Sequence, residues 1–150
     1  MSKIAILWGS ETGTAQGLAE TSELQLTAAG YPSQAIDMSD IKLDGLSAYD
    51  TVLVITSTWG DGDPPSNAYD LIGELQSKKA DLSKVRFSVC ALGDTAYAAF
   101  CQCGKDFDTA LEKQGAKRIA ALKECDIDYE VPFGEWLDSV KGKLAEQTPA

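Results

Sequence analysis

The chain of 150 residues contains no histidine. That absence removes the side chain that most readily exchanges a proton near neutral pH, and the commonest ligand of transition metals. Basic residues are scarce as well: 13 Lys and Arg stand against 23 Asp and Glu, for a formal net charge of -10. Nucleic acid and anionic membrane surfaces repel such a chain, whereas a basic protein face attracts it. Solubility alone is the plainer use of the same acidity. None of the four cysteines, Cys90, Cys101, Cys103 and Cys125, forms a C-x-x-C pair. Without histidine to complete a ligand set, no metal centre is expected, and the cysteines are read as reduced, small, buried residues. No apolar run approaches the roughly 20 residues of a membrane span. The N-terminus offers one lysine, Lys3, and a five-residue apolar run, which is not a signal peptide. A single domain over residues 1–150, monomeric and cytoplasmic, is the expectation.

What the chain does have is a polar loop set between a strand and a helix. Ile4-Ala5-Ile6-Leu7-Trp8 is a near-continuous apolar run, as in a strand buried on both faces. Gly9-Ser10-Glu11-Thr12-Gly13-Thr14-Ala15 follows it and opens a segment of helical spacing with Leu18, Ser22 and Leu26 on one face. Glycines let the backbone turn sharply. The first N–H groups of a helix lack internal partners and carry the positive end of its dipole. Three hydroxyls, from Ser10, Thr12 and Thr14, add donors, so the stretch can wrap a phosphate. It lacks the lysine of a nucleotide-hydrolysing loop and the glycine spacing of a dinucleotide loop. An ordinary strand–helix turn with capping hydroxyls has the same spacing.

Further strands are expected at Ala35-Ile36, at Thr51-Val52-Leu53-Val54-Ile55-Thr56, at Lys84 through Leu92, and at Arg118-Ile119-Ala120-Ala121-Leu122. A polar connection runs from Ser39 to Asp50, with Ile41, Leu43 and Leu46 spaced along it. Asn67 is placed as the cap of a helix whose apolar face is Ala68, Leu71, Ile72 and Leu75. A third helix shows Cys103, Phe107 and Leu111 and is closed by Gly115, and a last one carries Phe133, Trp136, Leu137, Val140 and Leu144. Five strands alternating with helices make a doubly wound α/β domain with a parallel sheet. Ligands in such sheets sit beyond the carboxyl ends of the strands. Two further irregular loops follow strand ends, and each holds an aromatic: Trp59 beside Thr58, Gly60 and Asp61, and Tyr97 after Gly93, Asp94 and Thr95. A planar ring between Trp59 and Tyr97 would account for both. Each aromatic could instead cover a strand end.

Along its whole length the chain resembles the flavodoxin family. The resemblance is carried by Gly9-Ser10-Glu11-Thr12-Gly13-Thr14-Ala15, by Ser57-Thr58-Trp59-Gly60-Asp61-Gly62-Asp63-Pro64-Pro65, and by Leu92-Gly93-Asp94 with Tyr97 and Phe100-Cys101. The second and third motifs are also similar to the FMN domains of diflavin reductases. No segment is inserted in the fifth-strand region, as in the short-chain type.

The resemblance implies a three-layer, five-stranded parallel sheet in the order 2-1-3-4-5 and non-covalently bound FMN. Ser10, Glu11, Thr12, Gly13, Thr14 and Ala15 would hold the phosphate, Glu11 with its side chain turned to solvent. Ser57 and Thr58 would line the ribityl chain. Trp59 and Tyr97 would cover the two ring faces, and the Gly60 carbonyl would face flavin N5, with Asp61 and Gly62 beside it. Leu92, Gly93, Asp94, Phe100 and Cys101 would border the pyrimidine edge. The implied function is a low-potential electron carrier, cycling between semiquinone and hydroquinone and linking a reductase to acceptor proteins through their basic surfaces. Asp126, Asp128, Glu130 and Glu135 resemble an acidic docking edge, or equally a solvated helix start. The alternatives are a quinone or nitro reductase using the same FMN, or the FMN module of a diflavin reductase. Met1 and the ending at Ala150 favour a free carrier over that module.

Overall fold

The structure, a computed structural model, describes residues 4–9, 13–57, 65–93, 101–126 and 128–147. Strands β1 (Ile4–Gly9), β2 (Ser33–Asp37), β3 (Thr51–Ser57), β4 (Arg86–Leu92), β5 (Lys117–Arg118) and β6 (Lys123–Cys125) form one sheet. All of the pairings are parallel, and the order is β2-β1-β3-β4-β5, with β6 also on β4. Helices α1 (Thr14–Ala28), α2 (Tyr69–Ser77), α3 (Gln102–Lys113) and α4 (Glu130–Gln147) cover it. This is the expected doubly wound, three-layer architecture.

Successive residues of a strand point to opposite faces, and the central strands use both. Ala5, Leu7, Val52, Val54, Phe87 and Val89 enter a core with α2 and α3. Ile4, Ile6, Leu53, Ile55, Cys90 and Leu92 enter a second core with α1 and α4. Each fully buried aliphatic or aromatic side chain contributes about 1.5–3 kcal/mol. The apolar stripes foreseen for the last three helices are all buried, as are Ser22 and Leu26 of α1, while Leu18 is half-buried. Gly30, at φ 95, ends α1, with Tyr31 N–H donating back to Leu26 O at 2.9 Å.

Three local expectations are corrected. The fifth strand is not continuous over residues 118–122. It pairs with β4 at Lys117–Arg118 and again at Lys123–Cys125, and the chain between bulges away. The cause lies in Ser88, whose hydroxyl donates to Ala120 O at 3.0 Å and accepts from Trp136 Nε1 at 2.8 Å. A side-chain bond thus satisfies a buried carbonyl within the bulge. The stretch after β2 is not a plain connection but two short 3-10 turns, Met38–Asp40 and Leu43–Ala48, which bury Met38, Leu43 and Leu46. Asn67 is not the cap of α2: that position falls to Ala68, with no side-chain bond, and the Asn67 amide reaches across to β1 and β2 instead.

All four cysteines are free and buried. Burial pushes the Cys103 thiol up from 9.0 to about 12, against the opposing hydrogen bond from Thr56. Burial also lifts Cys101 to about 12. The hydrogen bond between Cys90 and Cys125, whose sulfurs lie 3.6 Å apart, together with burial keeps the proton on Cys90.

Two predictions follow from this packing. A Cβ on Gly104, in α3, would overlap the Cβ of Ala91 and lie 3.1 Å from its Cα, so Gly104→Ala must push α3 off the sheet. Urea unfolding of the apoprotein should show a loss of about 1–3 kcal/mol. Gly142→Ala, in α4 with nothing near the new methyl group, should be neutral or gain up to about 1 kcal/mol; equal losses at both positions would remove the overpacking account. The second prediction concerns alkaline pH. The unfolded Cys103 thiol ionises near 9.0 and the folded one only near 12, so its contribution is intact below pH 9 and is lost as pH rises toward 12. Stability should fall by about 1.4 kcal/mol per pH unit for that thiol. The slope measured between pH 9 and 10 should be shallower in Cys103→Ala.

Candidate cofactor site

Register decides where the polar loops emerge. Gly9 lies opposite Thr56, Ser57 opposite Leu92, and Leu92 opposite Cys125. The strands β1, β3, β4 and β6 therefore end on one rim, the carboxyl edge of the sheet. The three loops singled out in the sequence leave from that rim. Their tips, with Ser10, Glu11, Thr12, Thr58, Trp59, Gly60, Asp61, Gly62, Asp94, Tyr97 and Phe100, lie outside the described residues. Gly13, Thr14, Ala15, Ser57, Leu92, Gly93 and Cys101 are described, and all stand along the rim.

The start of the first loop is set by lack of space. A Cβ on Gly9 would come within 2.8 Å of Thr56 Oγ1 and 3.0 Å of both Ala68 Cβ and Met38 Sδ. Its end is set by backbone conformation. Gly13 is the N-cap of α1 at φ 90, and a Cβ there would meet nothing within 4 Å, so the left-handed turn is what calls for glycine. Ala15, in the first turn of α1, is fully buried. Thr14 is half-buried and keeps its hydroxyl at the helix start. The first turn of α1 carries no acidic residue, nor does that of α3, whereas α2 has Asp70 there and α4 has Glu130. A helix N-terminus free of carboxylates fits a phosphate.

The roots of the other two loops are tied into the sheet. Ser57 Oγ donates to Gly9 O at 3.4 Å, joining the end of β3 to the end of β1. Thr56 Oγ1 lies 3.3 Å from Ser57 O and 3.5 Å from Cys103 Sγ. Gly93 N–H donates to Cys125 O at 2.9 Å and continues the β4–β6 ladder past Leu92. Cys101 is the N-cap of α3 and, among the described residues, the one non-glycine with positive φ, at 56. That conformation costs about 1–2 kcal/mol. Its thiol points inward, 3.5 Å from Ala91 O and 3.8 Å from Cys125 O.

Sequence reasoning misses the polar link beside this rim. Asn67 Nδ2 donates to Trp8 O at 3.0 Å and to Asp37 Oδ1 at 3.1 Å. Asp37 Oδ1 also accepts from Ser39 N–H at 2.8 Å and from Ser39 Oγ at 2.7 Å. Burial raises the Asp37 pKa, but the bonds from Ser39 and Asn67 outweigh it and hold the carboxyl below its ordinary value. An asparagine just ahead of a helix looks like a cap, and nothing in the sequence marks Asp37 as its partner. In the acidic stretch before α4, Glu135 is held by Lys123 at 2.9 Å and Glu130 occupies the first helical turn.

Comparison with known proteins agrees with this fold. A family described as flavodoxin matches residues 6–147. The sulfite reductase [NADPH] flavoprotein alpha-component of Bacillus subtilis (strain 168) is 44% identical over 145 residues, covering 96% of this chain and 24% of that protein. Its counterpart in Vibrio parahaemolyticus is 43% identical, again over 96% of this chain and 23% of that protein. The chain thus spans about a quarter of the length of these relatives. Among solved structures, a mutant flavodoxin from Pseudomonas aeruginosa superposes with a TM-score of 0.85 at 27% identity, over 95% of this chain and 99% of that one. A flavodoxin from Streptococcus pneumonia TIGR4 shares the fold, with a TM-score of 0.86 at 24% identity over 98% of this chain and 100% of its own. Matched along nearly its whole length, in fold as in sequence, the chain belongs to the flavodoxin family, and its cofactor is FMN.

Proposed function

We propose that the chain is a one-electron carrier that accepts electrons from an NADPH-linked flavoprotein and delivers them to an acceptor protein. The observation that carries this is the single rim where β1, β3, β4 and β6 end beside the carboxylate-free start of α1. Bound FMN supplies two successive one-electron steps, the chemistry needed between a hydride donor and a one-electron acceptor. The protein's part is to hold and tune it. In this proposal Ser10 through Ala15 hold the phosphate, Ser57 and Thr58 the ribityl chain, and Trp59 and Tyr97 the ring faces. Gly60, Asp61 and Gly62 border the ring on one side. Leu92, Gly93, Asp94, Phe100 and Cys101 serve the pyrimidine edge through the backbone.

The carrier role is supported by the lack of histidine and by thiols held protonated in the core. The net charge of -10 suits docking on basic partners. A second form of the same role, the FMN module of a larger NADPH-dependent flavoprotein, is favoured by the 44% identity to such a component against 27% to a flavodoxin structure. In either form the purified, FMN-loaded chain should not oxidise NADPH by itself, and should be reduced once a flavoprotein reductase is added. Rapid NADPH oxidation with a quinone by the chain alone would establish an enzyme instead.

The acidic ring loops set the expected potential. One carboxylate roughly 10 Å from the flavin opposes added negative charge by about 0.4–1.7 kcal/mol, for ε from ~80 to ~20. On a one-electron couple this amounts to roughly 20–70 mV per charge. Asp61→Asn and Asp63→Asn should each raise the second of the two couples by that order in spectroelectrochemical titration, and unchanged values would remove this account of the tuning.

A further inference from the structure

The loop after β3 leaves the sheet at Ser57 and returns at Pro65, and the short segment that follows decides where it lands. Pro65 and Ala68 are buried. Ala68 packs so closely on the last residue of β1 that a Cβ on Gly9 would lie 3.0 Å from its own. Between them Asn67 uses one amide nitrogen for two bonds, to Trp8 O and to Asp37 Oδ1, at 3.0 and 3.1 Å. Trp8 precedes Gly9 at the root of the phosphate loop and lies opposite both Asp37 of β2 and Ile55 of β3. Asp37 is itself fixed, because Ser39 donates to the same carboxylate oxygen through its N–H and its hydroxyl. The bond to a charged acceptor is the stronger kind. The root of one cofactor loop and the return of another are therefore joined through one side chain.

We infer that Asn67, held by Asp37, is a positioning residue that couples the phosphate loop to the ring loop, so that filling the phosphate end of the site tightens the ring end. The inference rests on the FMN-binding assignment. Trp8 is where the coupling enters: movement of the loop after Gly9 shifts the Trp8 carbonyl, and Asn67 carries that shift to the segment on which residues 58–64 return. Without the amide the two loops respond to their ligand fragments separately. By linkage, the effect of phosphate on ring affinity equals the effect of ring binding on phosphate affinity.

The test uses the apoprotein with two separate fragments, riboflavin and inorganic phosphate. In the wild type, saturating phosphate should tighten riboflavin binding by about 5-fold or more. In Asn67→Ala the factor should fall below about 2-fold. Asp37→Asn, which keeps an acceptor oxygen but loses its charge, should lie between the two and serves where Asn67→Ala fails to fold. A variant that only loosens the fold would weaken both fragments and leave the factor between them intact. The proposal is overturned if the factor is unchanged in both variants, or if wild-type protein that binds FMN shows no effect of phosphate on riboflavin. Failure of wild-type apoprotein to bind FMN at all would instead overturn the cofactor assignment.

Discussion

Burial of β1, β3 and β4 on both faces is the constraint from which the rest of the molecule follows. Alternate residues of these strands belong to two different cores. A slip of one residue in any of them would exchange the two sets and disturb both layers of helices at once. Register is thereby held firmly, and with it the level at which each strand stops. Parallel strands need crossovers, so every connection returns across a face and every strand of the core ends on the same side. One rim collects the polar loops because the cores leave them nowhere else to go.

At that rim the fold uses backbone more than side chains. Gly9 and Gly13 are there for different reasons, the first because Thr56, Ala68 and Met38 leave no room for a Cβ, the second because α1 begins from a left-handed turn. Ala15 and Cys101 are wholly buried, and the Cys101 thiol turns inward to the Ala91 carbonyl. Backbone donors fixed by packed elements are held more rigidly than most side chains, which suits a phosphate that is held and not transferred. The polar residues that matter stand one layer back. Ser57, Asn67 and Asp37 tie strand ends and loop roots to each other.

The strands β1, β3 and β4 are legible in the sequence because unbroken β-branched and apolar runs have no other economical use in a chain of this size. The stripes of α2, α3 and α4 are legible for the same reason, being repeating patterns that only one periodicity satisfies. Two kinds of feature escape. The division of the fifth strand depends on Ser88 and Trp136, which are 48 residues apart and meet over the Ala120 carbonyl. Local sequence carries no sign of such a meeting, and Ile119 and Ala120 are as buried in a bulge as they would be in a ladder. Asn67 escapes because its position ahead of a helix matches a capping residue, while its actual acceptors come from β1 and β2. For the site, the three motifs mark the loops correctly as departures from one rim, since loop composition and strand ends are both local. The tips themselves lie outside the described residues.

An acidic protein that binds a phosphate poses a question of which field wins. A net charge of -10 spread over the surface acts mostly from beyond a Debye length. Ten charges roughly 15 Å from a dianion, in water and screened over ~8 Å, oppose it by only about 1 kcal/mol in total. The start of α1 offsets that alone, at about 0.5–2 kcal/mol, before any hydrogen bond to the charged oxygens adds about 1.5–3 kcal/mol. Distance matters more than number. One carboxylate roughly 5 Å from the dianion at ε ~20 would cost about 7 kcal/mol, more than the whole remote surface. The absence of acid from the first turn of α1 therefore weighs more than the acidity of the chain as a whole.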